Sequence, residues 1–186
     1  MNTDERRSSI VNRQSSIIFV LFVLFVVDTG GCSYATRNAL PPRIKSIAVP
    51  VFANKTYIGE YTRKLEVEVT EAVRNAFIQA GELKLAGRED ADLILEGSVT
   101  KLDREILRND RFGDPAEVRL TVRARMSVYD VKEAKYLLKD QLVTNAEKKE
   151  ESGVYNLRRG ESEAIGRQKA IEDLGRMIAR RVTERW

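Results

Sequence analysis

The strongest structural pattern in the sequence is an alternation of apolar and polar residues over residues 118–128. Every second side chain is apolar, which places six residues on one face of an extended strand: Val118, Leu120, Val122, Ala124, Met126 and Val128. The side chains between them belong to Arg119, Thr121, Arg123, Arg125 and Ser127. One face of this strand is therefore expected to be buried and the other to face water, which is typical of an antiparallel sheet covered on one side only.

Two segments have the apolar spacing of amphipathic helices. The first covers about residues 59–80, and Gly81 follows it as a C-terminal stop. The second covers about residues 161–184, and five apolar residues form its buried stripe: Ile165, Ile171, Leu174, Ile178 and Val182.

Further strands are predicted at residues 44–52, 92–106 and 136–146, and a short strand is possible at residues 83–85. The apolar face of the segment 92–106 slips part-way, which indicates a bulge. In the returning strand, Leu138 and Leu142 are expected to point inward. The resulting order, β-α-β-β-β-α, predicts an α+β domain in which two amphipathic helices pack on one face of a four-stranded, mainly antiparallel sheet.

The N-terminal segment has the pattern of an export signal. An apolar run of eleven residues, 17–27, follows basic residues, and small residues then lead to Cys32, the only cysteine. The run is too short for a membrane-spanning helix and fits the core of a secretory signal. A small-small-Cys ending resembles the lipobox of bacterial lipoproteins, in which the cysteine is lipidated and the peptide is cut before it. The open alternatives are an ordinary cleaved signal with an incidental Cys32, and a short membrane anchor.

This interpretation divides the chain into a lipoprotein signal peptide, residues 1–31, a lipid-proximal tether, residues 32–43, and one α+β domain, residues 44–186. Several acyl chains would give a stable anchor where one is marginal. Ser33 follows the cysteine, and by the sorting habit of such lipoproteins in Gram-negative bacteria this implies the outer membrane.

Composition removes most classes of enzyme. The chain has no histidine, so triads with an imidazole base and histidine-ligated metals are excluded. Asp90 and Asp92 are expected to belong to a turn and not to a metal site. We expect no catalytic residues, no metal and no cofactor other than a covalent lipid on Cys32.

Arginines are the most prominent candidates for binding. Three lie on the polar face of the alternating strand, and others lie in or near two loops: Arg104, Arg108, Arg111, Arg158 and Arg159. A guanidinium binds phosphate through two parallel hydrogen bonds. The alternative is a solvated, charged sheet face without a binding role. The net charge is only +4 and an exported protein does not meet nucleic acid, so nucleic acid is not an expected partner.

Several segments resemble the lipopolysaccharide-assembly lipoprotein family LptE. They are the opening strand Ile-Ala-Val-Pro-Val-Phe-x-Asn-x-Thr at residues 47–56, and residues 91–97, 116–122 and 170–174. The resemblance covers roughly Cys32 to the C-terminus. It implies a four-stranded sheet with two helices, in an outer-membrane lipoprotein that plugs the lumen of the LptD β-barrel and helps to place lipopolysaccharide in the outer leaflet.

The same resemblance implies which residues contact lipopolysaccharide. A family pattern, basic-x-Gly-x-x-Ala-Glu, reads here from Arg111 to Glu117, so that Arg111 is the corresponding basic residue. A second basic position precedes the last helix, where Arg159, with Arg158 beside it, is the nearest match. The expected partners are an LptD-type barrel, lipopolysaccharide and the membrane, reached through the lipid anchor. The domain is expected within the barrel lumen and the periplasm.

Two other functions remain open from the sequence. Lipoproteins of the CsgG-like and penicillin-binding-protein-activator types open with similar Ile-Ala-Val-Pro strands, so the chain could be a periplasmic activator or secretion lipoprotein that binds a protein partner. A lipid-binding carrier would need a closed apolar cavity, which the one-faced amphipathicity of the helices disfavours.

Overall fold

The computed structural model describes residues 40–56, 62, 64–147 and 152–184. The elements in chain order are β1 (Ser46–Ala48), β2 (Ala53–Asn54), α1 (Leu65–Ala80), β3 (Lys84–Leu85), β4 (Leu93–Asn109), β5 (Pro115–Asp130), β6 (Lys135–Thr144), β7 (Val154–Asn156) and α2 (Glu163–Thr183). Short 3-10 turns lie at Asn145–Glu147 and Leu157–Arg159. The signal peptide, Cys32 and most of the predicted tether lie outside the described residues.

The described strands form one mixed sheet of seven strands, so the expectation of a four-stranded, mainly antiparallel sheet is wrong in number and in direction. The main path is β3-β1-β4-β5-β6, while β2 pairs with β4 and β7 pairs with β5. The pairings of β1 with β3 and β4, and of β2 with β4, are parallel, and those of β5 with β4, β6 and β7 are antiparallel. The additional strands have two or three residues, which is too short for an alternation to be visible in sequence.

The opening strand predicted at residues 44–52 is interrupted near Pro50, which cannot donate a ladder hydrogen bond. The flanking pieces β1 and β2 pair with β4 separately. Side chains of α1 bind the backbone in the gap: Arg74 Nη2 donates to the carbonyl of Val49 at 2.6 Å, and the N–H of Phe52 donates to Thr70 Oγ1 at 3.0 Å. The interruption therefore attaches the sheet to α1.

The long β4–β5 hairpin carries the alternating strand, and all six apolar residues of its inner face are buried. The predicted bulge is confirmed in β4, where the register with β5 shifts between Val99 and Lys101 and Leu102 then follows on the inner face. A second shift in the β5–β6 pairing lies near Asp140, whose φ is 50°. This shift leaves Leu142 51% exposed, so its inward placement is wrong, and Val143 is buried instead.

Both helices pack on the inner face of the sheet and share one core with it. Gly81 ends α1 in the left-handed conformation, as predicted, and its N–H binds the carbonyl of Phe77. In α2 the predicted stripe is buried except for Ile165, which is 40% exposed. Gly166 faces the core instead. A Cβ at this position would lie 2.2 Å from the Tyr155 ring, so only glycine fits there. None of the helices within the described ranges is long and apolar enough to cross a membrane.

The described end of the segment 32–43 is attached to the domain. Leu40 packs against the core, and the guanidinium of Arg43 forms ion pairs with Asp130 and Glu133 at the β5–β6 turn. The carboxylate of Asp130 is fully buried. The hydrogen bond from Arg43, aided by the N–H groups of the turn, holds the pKa of Asp130 below its ordinary value despite desolvation.

This pair predicts an acid-dependent stability. The lowered pKa means that the ionised Asp130 stabilises the fold above its unfolded pKa of about 3.9, and that this stabilisation disappears as pH falls through the lower folded value. We expect Arg43→Met to reduce the free energy of unfolding at pH 7 by more than the loss of an exposed ion pair does, because it leaves the buried Asp130 carboxylate without its cation. Urea unfolding at several pH values should show the difference from the unchanged protein shrink below about pH 4.

The matched control is Arg88→Met, since Arg88 pairs with Glu96 on an exposed surface at 2.9 Å. That variant should lose less than about 0.5 kcal/mol at pH 7. A loss for Arg43→Met that stays constant down to pH 2 would contradict the assigned role of Asp130.

Candidate functional site

The loop at the tip of the β4–β5 hairpin is organised around one carboxylate. Asp110 Oδ1 accepts hydrogen bonds from the N–H groups of Phe112 at 2.8 Å and Asp114 at 3.0 Å. The N–H of Asp110 in turn donates to the carbonyl of Asp114 at 2.7 Å. Gly113 has a φ of 91°, which is available to glycine without strain. These hydrogen bonds therefore hold Arg111 in a defined turn.

The second basic position reaches the same end of the sheet through β7. This strand pairs with β5 so that Tyr155 lies opposite Val118 and Asn156 opposite Glu117. Asn156 then caps the 3-10 turn, because its Oδ1 accepts the N–H groups of Arg158 at 3.0 Å and Arg159 at 3.3 Å. Pairing at the start of β5 therefore brings this turn beside the hairpin tip.

An ion pair joins the two segments, since Arg158 Nη2 lies 3.2 Å from Asp110 Oδ2. Arg111 and Arg158 line one cavity of about 380 Å³, together with Arg108, Asn109, Asp110, Ala116 and Asn156. We call this cavity the basic cleft. The structure thus brings together two of the three arginines predicted to bind lipopolysaccharide.

The third predicted arginine, Arg159, lines an adjoining cavity of about 470 Å³. Arg108 and Asn156 line both cavities. The other basic residues here are Lys169 and Arg176 of α2, which pair with Glu161 at 3.0 Å and Asp173 at 2.5 Å. Arg108 pairs with Glu117 at 2.9 Å.

Two predicted arginines form no ion pair within 4 Å in the part of the chain that the structure describes, although the charge of Arg159 contributes to the lowered pKa of Glu161. No described carboxylate oxygen lies within 4 Å of the guanidinium of Arg111 or Arg159. Arg111 stacks on the ring of Phe112 at 4.6 Å. These guanidinium groups can therefore accept an anionic ligand without breaking an internal ion pair.

Two acidic residues of the site, Asp110 and Glu161, have a lowered pKa. Desolvation opposes ionisation of Asp110, but hydrogen bonds from the N–H groups of Phe112 and Asp114 and from Arg158 lower its pKa. The N–H of Asn156 and the ammonium of Lys169 lower the pKa of Glu161. These carboxylates orient the neighbouring cations, and the basic residues lining the two cavities still outnumber the acidic ones.

The other arginines singled out in the sequence have a different environment. On the polar face of β5, Arg119 lies 3.7 Å from Glu105, Arg123 lies 3.4 Å from Asp103, and Arg125 lies 2.6 Å from Asp140. These cross-strand pairs agree with the alternative of a solvated, charged sheet face. The basic cleft is thus the better candidate for an anionic ligand.

Sequence reasoning missed Lys169 and Arg176. Both lie on the polar side of an amphipathic helix, where charged residues are ordinary. Their spacing of seven residues indicates that both side chains lie on one face of the helix. It does not show which part of the protein that face packs beside.

No metal centre is formed by the described residues, where no group of three histidine, cysteine or acidic side chains could hold an ion. Asp92, considered in the sequence for a metal, binds the backbone of β1 instead. Its Oδ2 accepts the N–H groups of Lys45 at 2.8 Å and Ser46 at 3.0 Å, which lower its pKa together with the Ser46 hydroxyl. Cys32, the predicted lipidation site, lies outside the described residues.

Comparison with known proteins identifies the family. The family model described as LptE, lipopolysaccharide-assembly, matches residues 44–186, which is most of the chain. The chain belongs to the LptE family. This match agrees with the resemblance in the opening strand and covers the whole predicted domain. No curated protein gives a significant match.

Three solved structures are similar to this LptE-family chain at low sequence identity. A hypothetical protein from Chlamydia trachomatis has 12% identity and a TM-score of 0.49, covering 76% of this chain and 97% of that one. A minor lipoprotein from Acinetobacter baumannii has 16% identity and a TM-score of 0.44, covering 77% and 93%. The PelC dodecamer from Paraburkholderia phytofirmans has 17% identity and a TM-score of 0.41, covering 74% and 90%. At these scores the family assignment depends on the family match alone.

Proposed function

We propose that this LptE-family protein is an outer-membrane lipoprotein that plugs and supports an LptD-type β-barrel and assists lipopolysaccharide assembly at the outer leaflet. Its role is binding and positioning, without catalysis and without a cofactor other than a covalent lipid on Cys32. The family match supports a role in lipopolysaccharide assembly. The barrel partner and the outer-membrane location are carried over from the resemblance and from the signal pattern that ends at Cys32.

The observation that carries the proposal is the basic cleft. Arg111 and Arg158 are 47 positions apart in sequence, yet they line one cavity, and Arg159 lines the cavity beside it. Lipopolysaccharide carries phosphate groups, and arginine binds phosphate through charge-assisted, bidentate hydrogen bonds. An open, positively charged cleft at one end of the sheet therefore fits a phosphorylated ligand.

The barrel partner is tested by purification from membranes. Tagged full-length protein, extracted in mild detergent, is expected to bring down an outer-membrane β-barrel protein. The variant Cys32→Ala separates anchoring from recognition, because it should lose metabolic incorporation of radiolabelled palmitate. Recovery of a soluble periplasmic protein in place of any barrel would instead favour the activator or secretion alternative.

The basic cleft and the cavity beside it are tested together by charge reversal. We expect the double variant Arg111→Asp, Arg159→Asp to weaken binding of lipopolysaccharide at least tenfold, since each guanidinium is exposed and can donate to phosphate. Binding is measured with immobilised lipopolysaccharide over a range of protein concentrations. The thermal unfolding midpoint should change little, because neither guanidinium forms an ion pair within 4 Å with a described carboxylate.

The matched control is Arg88→Asp with Lys132→Asp. Both residues are exposed and lie in turns outside the two cavities, and the net charge changes by the same amount. This variant should keep its affinity for lipopolysaccharide. Equal weakening by both double variants would mean that overall charge, and not the basic cleft, determines binding.

A further inference from the structure

The tip of the β4–β5 hairpin exposes a large apolar side chain in a fixed position. Phe112 is 74% exposed, the highest value among the large hydrophobic residues that the structure describes as exposed. It follows Arg111 directly, and the guanidinium of Arg111 lies over its ring. The guanidinium is attracted to the face of the ring, so the tip presents an apolar and a cationic group side by side.

The loop that presents this ring is fixed by several hydrogen bonds. The N–H of Phe112 itself donates to Asp110, and the other side of that carboxylate binds Arg158. The N–H of Gly113 donates to the carbonyl of Asp110 at 3.1 Å. Because these hydrogen bonds hold the backbone of the loop, the Phe112 ring is presented at a defined place on the tip.

Other apolar residues near the tip are also exposed. Ile106 and Leu107 lie in the last part of β4, and Leu157 begins the 3-10 turn that carries Arg158. Arg104, Arg108 and Arg111 occur among them in the sequence. Apolar side chains close to guanidinium groups suit a ligand with anionic and hydrocarbon parts close together, since the anionic part pairs with arginine and the hydrocarbon part with apolar surface.

We propose that Phe112 is the apolar contact of this site and binds the acyl chains of an anionic lipid whose phosphates lie in the basic cleft. The inference rests on the proposed function and adds to it a hydrocarbon component of recognition. The occupant is the acyl portion of the amphiphile, because phosphates bound by Arg111 and Arg158 would place the hydrocarbon part of the same molecule beside the exposed ring. An aromatic side chain at the boundary between charged and hydrocarbon regions also follows the general preference of aromatic residues for membrane interfaces.

The test compares two probes that differ in acylation. One is intact lipopolysaccharide, and the other is the same material with its ester-linked acyl chains removed, which keeps its phosphates. The full-length protein in mild detergent should bind the intact probe more tightly. Phe112→Ser should weaken binding of the intact probe about tenfold and leave the deacylated probe unchanged, while Phe112→Leu should retain most of the affinity.

A fluorescence measurement gives a second readout that does not depend on affinity. Trp186 is the only tryptophan, so Phe112→Trp in a Trp186→Phe background places one reporter at the tip. Its emission should shift to shorter wavelength with intact lipopolysaccharide and not with the deacylated probe. The matched control places the tryptophan at Val131, which is exposed at the opposite end of β5.

The outcomes separate this inference from the proposed function. If the double charge reversal weakens both probes while Phe112→Ser weakens neither, the basic cleft stands and the acyl contact is wrong. If Phe112→Ser abolishes recovery of the barrel without changing binding of lipopolysaccharide, the ring contacts protein and the inference is overturned. If neither variant changes the binding of either probe, both proposals fail.

Discussion

Replacement of Asn145 by leucine is expected to lower the free energy of unfolding by roughly 2–5 kcal/mol, because it leaves two backbone groups of β5 buried without partners. Asn145 Oδ1 accepts the N–H of Val122 at 2.7 Å, and its Nδ2 donates to the carbonyl of Leu120 at 3.1 Å and to Ser152 Oγ at 3.0 Å. The side chain is almost fully buried, so water cannot readily replace it.

The size of this effect follows from the position of Asn145 in the sheet. On this edge of β5, pairing with β6 ends at Arg123 and pairing with β7 covers Glu117 to Arg119. Between the two neighbouring strands, the Asn145 amide supplies hydrogen bonds that a continuous strand would have made. Its removal therefore leaves backbone groups of β5 unpaired between the part that pairs with β6 and the part that pairs with β7.

Chemical denaturation followed by circular dichroism measures the loss. The matched control is Asn75→Leu, since Asn75 is exposed on α1, and its stability should change by less than about 0.5 kcal/mol. Because β7 positions the 3-10 turn with Arg158, Asn145→Leu should also weaken binding of lipopolysaccharide. A loss of stability for Asn145→Leu that is no larger than the loss for Asn75→Leu would contradict the assigned role of the Asn145 amide.

Substitution of Gly97 by alanine is the second large expected effect, a loss of about 2–3 kcal/mol. A Cβ at this position of β4 would lie 2.2 Å from Cε1 and 2.5 Å from Cζ of Phe52. Phe52 is buried and its backbone N–H is bonded to Thr70 of α1, so the ring cannot move aside freely. The added methyl group therefore has to displace part of the core.

A double-mutant cycle identifies the clash as the cause. Phe52→Leu alone should destabilise the protein by creating a cavity, but Gly97→Ala combined with Phe52→Leu should lose less than the sum of the two. Gly87→Ala is the control, because Gly87 lies in an exposed turn with no atom closer than 4.0 Å to a new Cβ. Strict additivity in the cycle would mean that Gly97 acts through its backbone and not through the ring.

The parts of the fold that were predicted correctly depend on periodicity over many residues. Burial could be predicted from the alternation of residues 118–128 and from the apolar stripes of both helices. In each case, side chains at a regular spacing share the same environment. Local exceptions were not visible. Leu142 is exposed because of a register shift near Asp140, and Ile165 is exposed because Gly166 meets the Tyr155 ring.

The candidate site shows a similar division. Arg111, Arg158 and Arg159 could be named from the sequence, because a match to a family pattern does not require knowledge of the fold. The sequence did not separate them from the arginines of β5, and only the cross-strand carboxylates of β4 and β6 distinguish the two groups. Lys169 and Arg176 became part of the site only when α2 was placed beside β7.

The sequence by itself determined the α+β class, the inner face of the β4–β5 hairpin, the amphipathic helices and the family. These properties depend on the spacing of apolar residues along the chain, because the local backbone geometry of a strand or helix places regularly spaced side chains on one face. Tertiary structure alone decided the seven-stranded mixed sheet, the placement of Arg111 and Arg158 in one cavity, and the burial of Asn145. These depend on pairings between distant segments, such as β7 with β5, which are decided by the packing of the whole core.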